Sequence, residues 1–162
     1  MKFASLLAIA AALVLAPMAQ AQVSCSEISA LMEAATEDFD SVAGEEVDDG
    51  VYAATAKLNA ANDCQVTFDL SSTYACIWVY DSLDTAREDY GMQTQALGQC
   101  LGEWDREAFT PSSDDPAYKR LEGASFFQTD DDGAEMTWVA YVEEHLDGDA
   151  RDWHVWVGLD YF

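Results

Sequence analysis

Apolar and polar residues recur along this chain with two different periods, and each change of period marks an element. Cys25, Ile28, Met32, Ala35 and Phe39 return at helical intervals, which predicts one buried stripe on a first helix. Ser24 and Glu27 stand ahead of it at capping-box spacing. The helix should fade before Ala43-Gly44, and the acidic stretch on to Gly50 reads as a solvated connection. Three strands are expected next. Val51–Leu58 is rich in small and β-branched residues. In Cys64–Leu70, Cys64, Val66, Phe68 and Leu70 face one way and Gln65, Thr67 and Asp69 the other. Thr73–Tyr80 is apolar on both sides, as an inner strand would be, and Ser71-Ser72 reads as the hairpin turn before it.

A second, longer helix follows, capped by Asp81 or Ser82. It carries Leu83, Ala86, Tyr90, Leu97, Leu101 and Trp104 on one side and Asp84, Arg87 and Glu88 on the other. A loop is expected from about Asp105 to Gly123, holding Pro111, Pro116 and the pair Lys119-Arg120. The remainder reads as a three-stranded meander, Ala124–Thr129, Glu135–Glu144 and Asp152–Tyr161, broken at Asp130-Asp131-Asp132-Gly133 and Asp147-Gly148-Asp149. Asp-Gly between alternating runs is a strong hairpin signal. The class implied is α+β, two helices packed on antiparallel sheet in the order α-β-β-β-α-β-β-β. That order also describes two αβββ halves, although no sequence identity links them.

Closing the last hairpin around Gly148-Asp149 sets a register. Met136, Trp138, Ala140 and Val142 then share a core face with Trp153, Val155, Val157 and Leu159. The opposite face receives Val139, Tyr141, Glu143, His154 and Trp156, with Phe126 and Phe162 near it, and Tyr141 lies across from Trp156. Aromatic residues rimmed by acids suit a protein-binding surface. A helix or the 105–123 loop laid over that face would instead make it a second core layer.

The first residues change the picture of what reaches its destination. Lys2, the apolar run Leu6–Leu15, Pro17 and the small-residue site Ala19-Gln20-Ala21 have the order of a cleavable secretory signal of bacterial type. Gln22-Val23-Ser24-Cys25 lacks the Leu-like residue a lipobox needs three before its cysteine, so a soluble periplasmic or secreted product is expected. Cleavage before Gln22 removes one lysine and no acid. The remaining 141 residues, read as one disulfide-stapled domain, carry 6 basic against 31 acidic side chains, a net of −25. Such a charge excludes a nucleic-acid backbone and an anionic membrane surface as partners. It favours a basic protein, or a surface suited to a saline exterior.

Cys25, Cys64, Cys76 and Cys100 form an even set in an exported chain, the setting in which disulfides persist. Their spacing fits neither a zinc ribbon nor a redox CxxC pair, so two structural bridges are expected. Of the three connectivities sequence allows, the expected element order favours Cys25–Cys64 and Cys76–Cys100.

Catalytic signals are sparse. His145 and His154 are the two histidines. The hairpin register puts His145 opposite Asp152 and His154 opposite Glu143, which ordinary cross-strand pairing explains. There is no G-x-S-x-G elbow and no Gly-rich phosphate loop. The aspartate clusters lack EF-hand spacing, although acids this dense would attract calcium weakly. No cofactor and no metal site is expected. The leading expectation is a non-enzymatic, exported acidic binding protein, such as a periplasmic inhibitor or immunity factor engaging a basic partner. It would use Phe126, Val139, Tyr141, Glu143, His154 and Trp156. The alternatives are an envelope stress or small-molecule-binding protein, and a hydrolase built around His154 and Glu143.

Overall fold

A computed structural model describes residues 22–68, 71–110, 117–129, 133–147 and 150–162. The expected signal segment, Asp69 and Leu70 of the expected second strand, Pro111 and Pro116, and the turn residues 130–132 and 148–149 lie outside them. The elements run α1 (Cys25–Ala35), β1 (Ala43–Asp48), β2 (Val51–Ala54), β3 (Asp63–Phe68), β4 (Ser72–Tyr80), α2 (Leu83–Leu101), β5 (Asp105–Phe109), β6 (Tyr118–Thr129), β7 (Glu135–Asp147) and β8 (Ala150–Tyr161). The α+β class and the expected order of helices and strands hold. Each half carries one strand more, so a helix followed by four strands occurs twice.

All eight strands form one antiparallel sheet in the order β1-β2-β3-β4-β8-β7-β6-β5, which has the same form read from either edge. The seam is the pairing of the last strand of each half, in register from Ser72↔Tyr161 to Tyr80↔Trp153. Across it Tyr74, Cys76 and Trp78 meet Leu159, Val157 and Val155, all six buried. Both helices cover this side of the sheet. They contact one another, are joined by Cys25–Cys100, and share one apolar cluster with the buried strand positions.

The helices begin where the sequence signals them. Ser24 and Glu27 close the capping box of α1, and the Ser82 hydroxyl accepts from the Thr85 amide at the start of α2. The buried face of α2 differs from the expected stripe, since it includes Asp89, Gln93 and Thr94. Gln93 Oε1 accepts from the Val23 amide at 3.0 Å, and its Nε2 donates to Asp89 at 3.3 Å. A polar clasp therefore ties the chain ahead of α1 to the middle of α2. Burial, the largest influence, raises the Asp89 pKa, against hydrogen bonds from Tyr80 and Gln93 that lower it.

Two expected connections are strands. The acidic stretch before Gly50 forms the edge strand β1, whose Glu45, Glu46, Val47 and Asp48 are all exposed. With both faces wet there is no alternation to read, and charge on an edge guards against pairing with other chains. Likewise the 105–123 segment contributes β5 and the start of β6, with a register shift between Arg120 and Glu122 that breaks the period of two.

The disulfides correct the expected connectivity. They are Cys25–Cys100, joining the two helices, and Cys64–Cys76, joining directly opposed residues of β3 and β4. A turn at Ser71-Ser72 would have left Cys76 opposite Thr67, three residues short of Cys64. The observed register instead pairs Phe68 with Ser72, ending the hairpin earlier and facing the two cysteines across it.

Two expected outcomes follow from these features. The bridges close loops of 75 and 12 residues, so chain entropy assigns them about 4 and about 3 kcal/mol respectively. Paired alanines at Cys25 and Cys100 should therefore cost more in urea unfolding than paired alanines at Cys64 and Cys76, and peptide mapping of the oxidised protein should recover these two linkages. Asp89 has a folded pKa above its ordinary 3.8. The stability this contributes is complete below that value and is lost as pH rises through the folded pKa. Asp89→Asn cannot ionise, so its melting temperature should vary less with pH above 4 and should equal or exceed that of the native protein at pH 7.

Candidate functional site

Alternation along each strand sends one set of side chains to the helices and the other to the opposite face. Among the described residues no helix packs on that second face, so the helix-covered arrangement considered from sequence does not occur there. Cross-strand registers order it in rows. One row runs Phe109, Gly123, Tyr141, Trp156, Ile77 and Asp63 from β5 to β3. Beside it lies a row of Ser125, Val139, Gly158 and Ala75, which puts Val139 on this face as expected. On the other side come Arg120, Glu143, His154 and Val79, and beyond them Tyr118, His145 and Asp152.

The aromatic row is built by close fits. The Tyr141 and Trp156 rings stack with centroids 6.0 Å apart. Gly123 gives room to Phe109, whose ring would lie 2.8 Å from a Cβ at that position. Glycine within a strand can signal such an approach, but its occupant came from a segment expected to be loop. The pairs Tyr141↔Trp156, Glu143↔His154 and His145↔Asp152 are those given by a hairpin centred on Gly148-Asp149. Phe126 belongs elsewhere. It pairs with Trp138, is 2 % exposed, and packs on the helix side near Gly98 of α2. Without a register for β6, its side of the sheet could not be assigned from sequence.

Glu143 is the electrostatic centre of the next row and is 2 % exposed. Its Oε1 accepts from the Trp156 indole N–H and lies 3.4 Å from His154 Nδ1. Its Oε2 lies 3.8 Å from Arg120 Nε. The Arg120 guanidinium also stands over the Tyr141 ring, 4.7 Å from the centroid, a cation–π geometry. Burial pushes the Tyr141 hydroxyl up to about 12, aided by the charge of Glu143 and opposed by Arg120. Arg120 and Tyr118 had no place in the expected site, because the shift in β6 that turns them onto this face leaves no mark in the residue pattern.

At the end of the face, Asp152 Oδ1 lies 2.9 Å from His145 Nδ1 and 3.3 Å from His154 Nε2. The two imidazole centroids are 5.1 Å apart, and Tyr118 stacks on His145 at 4.7 Å. For His154, burial is the largest influence and lowers the pKa. The nearby carboxylates of Glu143 and Asp152 together outweigh it, so the net shift is upward. Asp160, at the far end of the face, has its pKa raised by burial, with a hydrogen bond from Thr73 acting against this.

All four cysteines are in disulfides. An apolar cavity beneath α1, lined by Leu31, Val42, Leu58 and Tyr74, has a volume of about 110 Å³, below the ~300–1,000 Å³ of small-molecule pockets. No family model, curated protein or solved structure matches the chain.

Removing a buried charge that holds several partners leaves those partners exposed to a cost. Glu143→Ala should therefore lower unfolding free energy by on the order of 2–4 kcal/mol. Glu143→Gln should lower it less, because the amide oxygen still accepts from Trp156. Urea unfolding of the two variants checks the order.

Proposed function

We propose that this is an exported, non-enzymatic binding protein that receives a basic protein on the open face of its sheet. The observation that carries the reading is the row Phe109, Tyr141, Trp156 and Ile77 on a sheet face that no described helix covers. Rigid aromatic rings supply contact area at low entropic cost, as interface anchors do. Val79, on the same face, is 41 % exposed.

Charge supports the choice of partner. Of the six cationic side chains outside residues 1–21, four already pair with carboxylates: Lys57 with Asp63, Arg87 with Glu122, Arg120 with Glu143 and Arg151 with Glu144. The large acid excess therefore has little internal compensation and projects a negative field, which steers a basic partner and rejects acidic ones. Two disulfides fit an oxidising compartment, and with the signal-like residues 1–21 they favour the periplasm or exterior. An inhibitor or immunity factor for a basic enzyme or toxin is the specific form this reading takes.

The test is capture from envelope and secreted fractions of the source cells by the oxidised protein, at low and high salt. A basic protein should be retained at low salt and released at high salt. Trp156→Ala and Val79→Arg should each weaken retention by at least about tenfold, since central anchors and like charge are each worth more than ~1 kcal/mol. Equal retention by both variants, or no basic protein at low salt, overturns the reading.

A further inference from the structure

We propose that His145, Asp152 and His154 form a binding site for a single divalent transition-metal ion of the zinc class, with Glu143 as the buried carboxylate that orients His154. The geometry carries the assignment. One nitrogen of each imidazole and one oxygen of Asp152 lie within 4.8 Å of one another. The two nitrogen–oxygen separations are 2.9 and 3.3 Å. Ligands about 2.0–2.1 Å from a tetrahedral ion stand roughly 3.3 Å apart, so the two separations from Asp152 already suit one, and the imidazole nitrogens, within 4.8 Å, would draw together on binding.

The ligands stand on neighbouring strands rather than on a loop. His145 and Asp152 are directly opposed across β7 and β8, and His154 follows Asp152 by two residues, on the same face. Stacking of Tyr118 restrains the His145 ring. His145 and Asp152 keep partial exposure, leaving a side from which an ion can enter and a water can complete the coordination.

His154 provides the strongest argument. It has Glu143 Oε1 3.4 Å from Nδ1 and Asp152 Oδ1 3.3 Å from Nε2. To ligate a metal an imidazole must be neutral, with one N–H. With that proton on Nδ1 toward Glu143, Nε2 presents its lone pair to the place where Asp152 and His145 converge. A metal ion there satisfies all three groups, and the Glu143–His154 contact becomes the carboxylate–histidine support that fixes tautomer and ring orientation in metal sites. Two imidazoles and one carboxylate select zinc-class ions over calcium and magnesium, which take oxygen ligands. The strong overall acidity raises the local concentration of any cation, but it cannot produce that preference.

This inference does not depend on the partner reading. The experiment uses the oxidised protein and Zn²⁺ alone as ligand, titrated against a chromogenic zinc indicator with Ca²⁺ in large excess to occupy carboxylates non-specifically. One Zn²⁺ per chain should bind, with changes in both histidine ring signals by NMR. Asp152→Asn and His145→Gln, both at partly exposed positions, should weaken binding by more than about tenfold, and Glu143→Gln by about 10–100-fold. Asp48→Asn, on the edge strand β1, should leave it unchanged. Circular dichroism confirms that each variant is folded. Zinc affinity unaltered in folded Asp152→Asn and His145→Gln, or displacement by Ca²⁺, overturns the site.

Discussion

The pairing of β4 with β8 is the constraint on which the rest of this molecule depends. Each half ends in a strand with a buried apolar side, and antiparallel pairing of those two strands turns two four-stranded sheets into one. Because the strand order has the same form from both edges, each half offers the same side of its sheet to its own helix. Both helices therefore pack on one layer, where Tyr74, Trp78, Val155 and Leu159 form the middle of a continuous core. Among the described residues the other face carries no helix as a consequence of that arrangement, and its central row crosses the seam between Trp156 and Ile77.

Cross-links follow the same plan. Cys64–Cys76 fixes the hairpin that supplies one side of the seam, while Cys25–Cys100 joins helices from different halves. The clasp between Val23, Gln93 and Asp89 lies between those helices as well. Burying Asp89 is unfavourable for an ionised carboxylate, and the hydrogen bonds from Gln93 and Tyr80 offset part of that cost. The helical layer is held by specific links as well as by apolar contact.

What the residue pattern could convey depended on how each segment is buried. Strands with one dry and one wet side announce themselves, and the Asp-Gly turn placed β7 against β8 to the residue, so Tyr141, Glu143, His154 and Trp156 were legible as neighbours. The edge strands β1 and β5 are wet over most of their length, which removes the alternation that would reveal them. Register was the other limit. A displaced turn was enough to separate Cys64 from Cys76, and an unmarked shift at Arg120 hid both Arg120 and Tyr118. Phe126 went to the wrong face for the same reason, since a strand with no paired partner in hand has no assigned side. Convergence of His145, Asp152 and His154 on one point is a matter of side-chain direction, which pairing alone does not give.

The open face divides the work of charge between two ranges. At long range the acid excess acts as a single negative field, and a Debye length of about 10 Å at 0.1 M salt confines its selectivity to approach and orientation. At contact distance the arrangement differs from end to end. Around Glu143 the charge is already matched by Arg120 and by the Trp156 indole, which makes the aromatic row a rigid surface rather than a cluster of acids awaiting counterions. Toward Asp152 the neighbours are imidazoles rather than a guanidinium, with His145 Nδ1 at 2.9 Å and His154 Nε2 at 3.3 Å. The first region offers shape and ring contact, whereas the second brings nitrogen and oxygen atoms together at close range. The scarcity of internal cations sets this division: Arg120 stands beside Glu143, while among the described residues the groups at ion-pair distance from Asp152 are the two histidines.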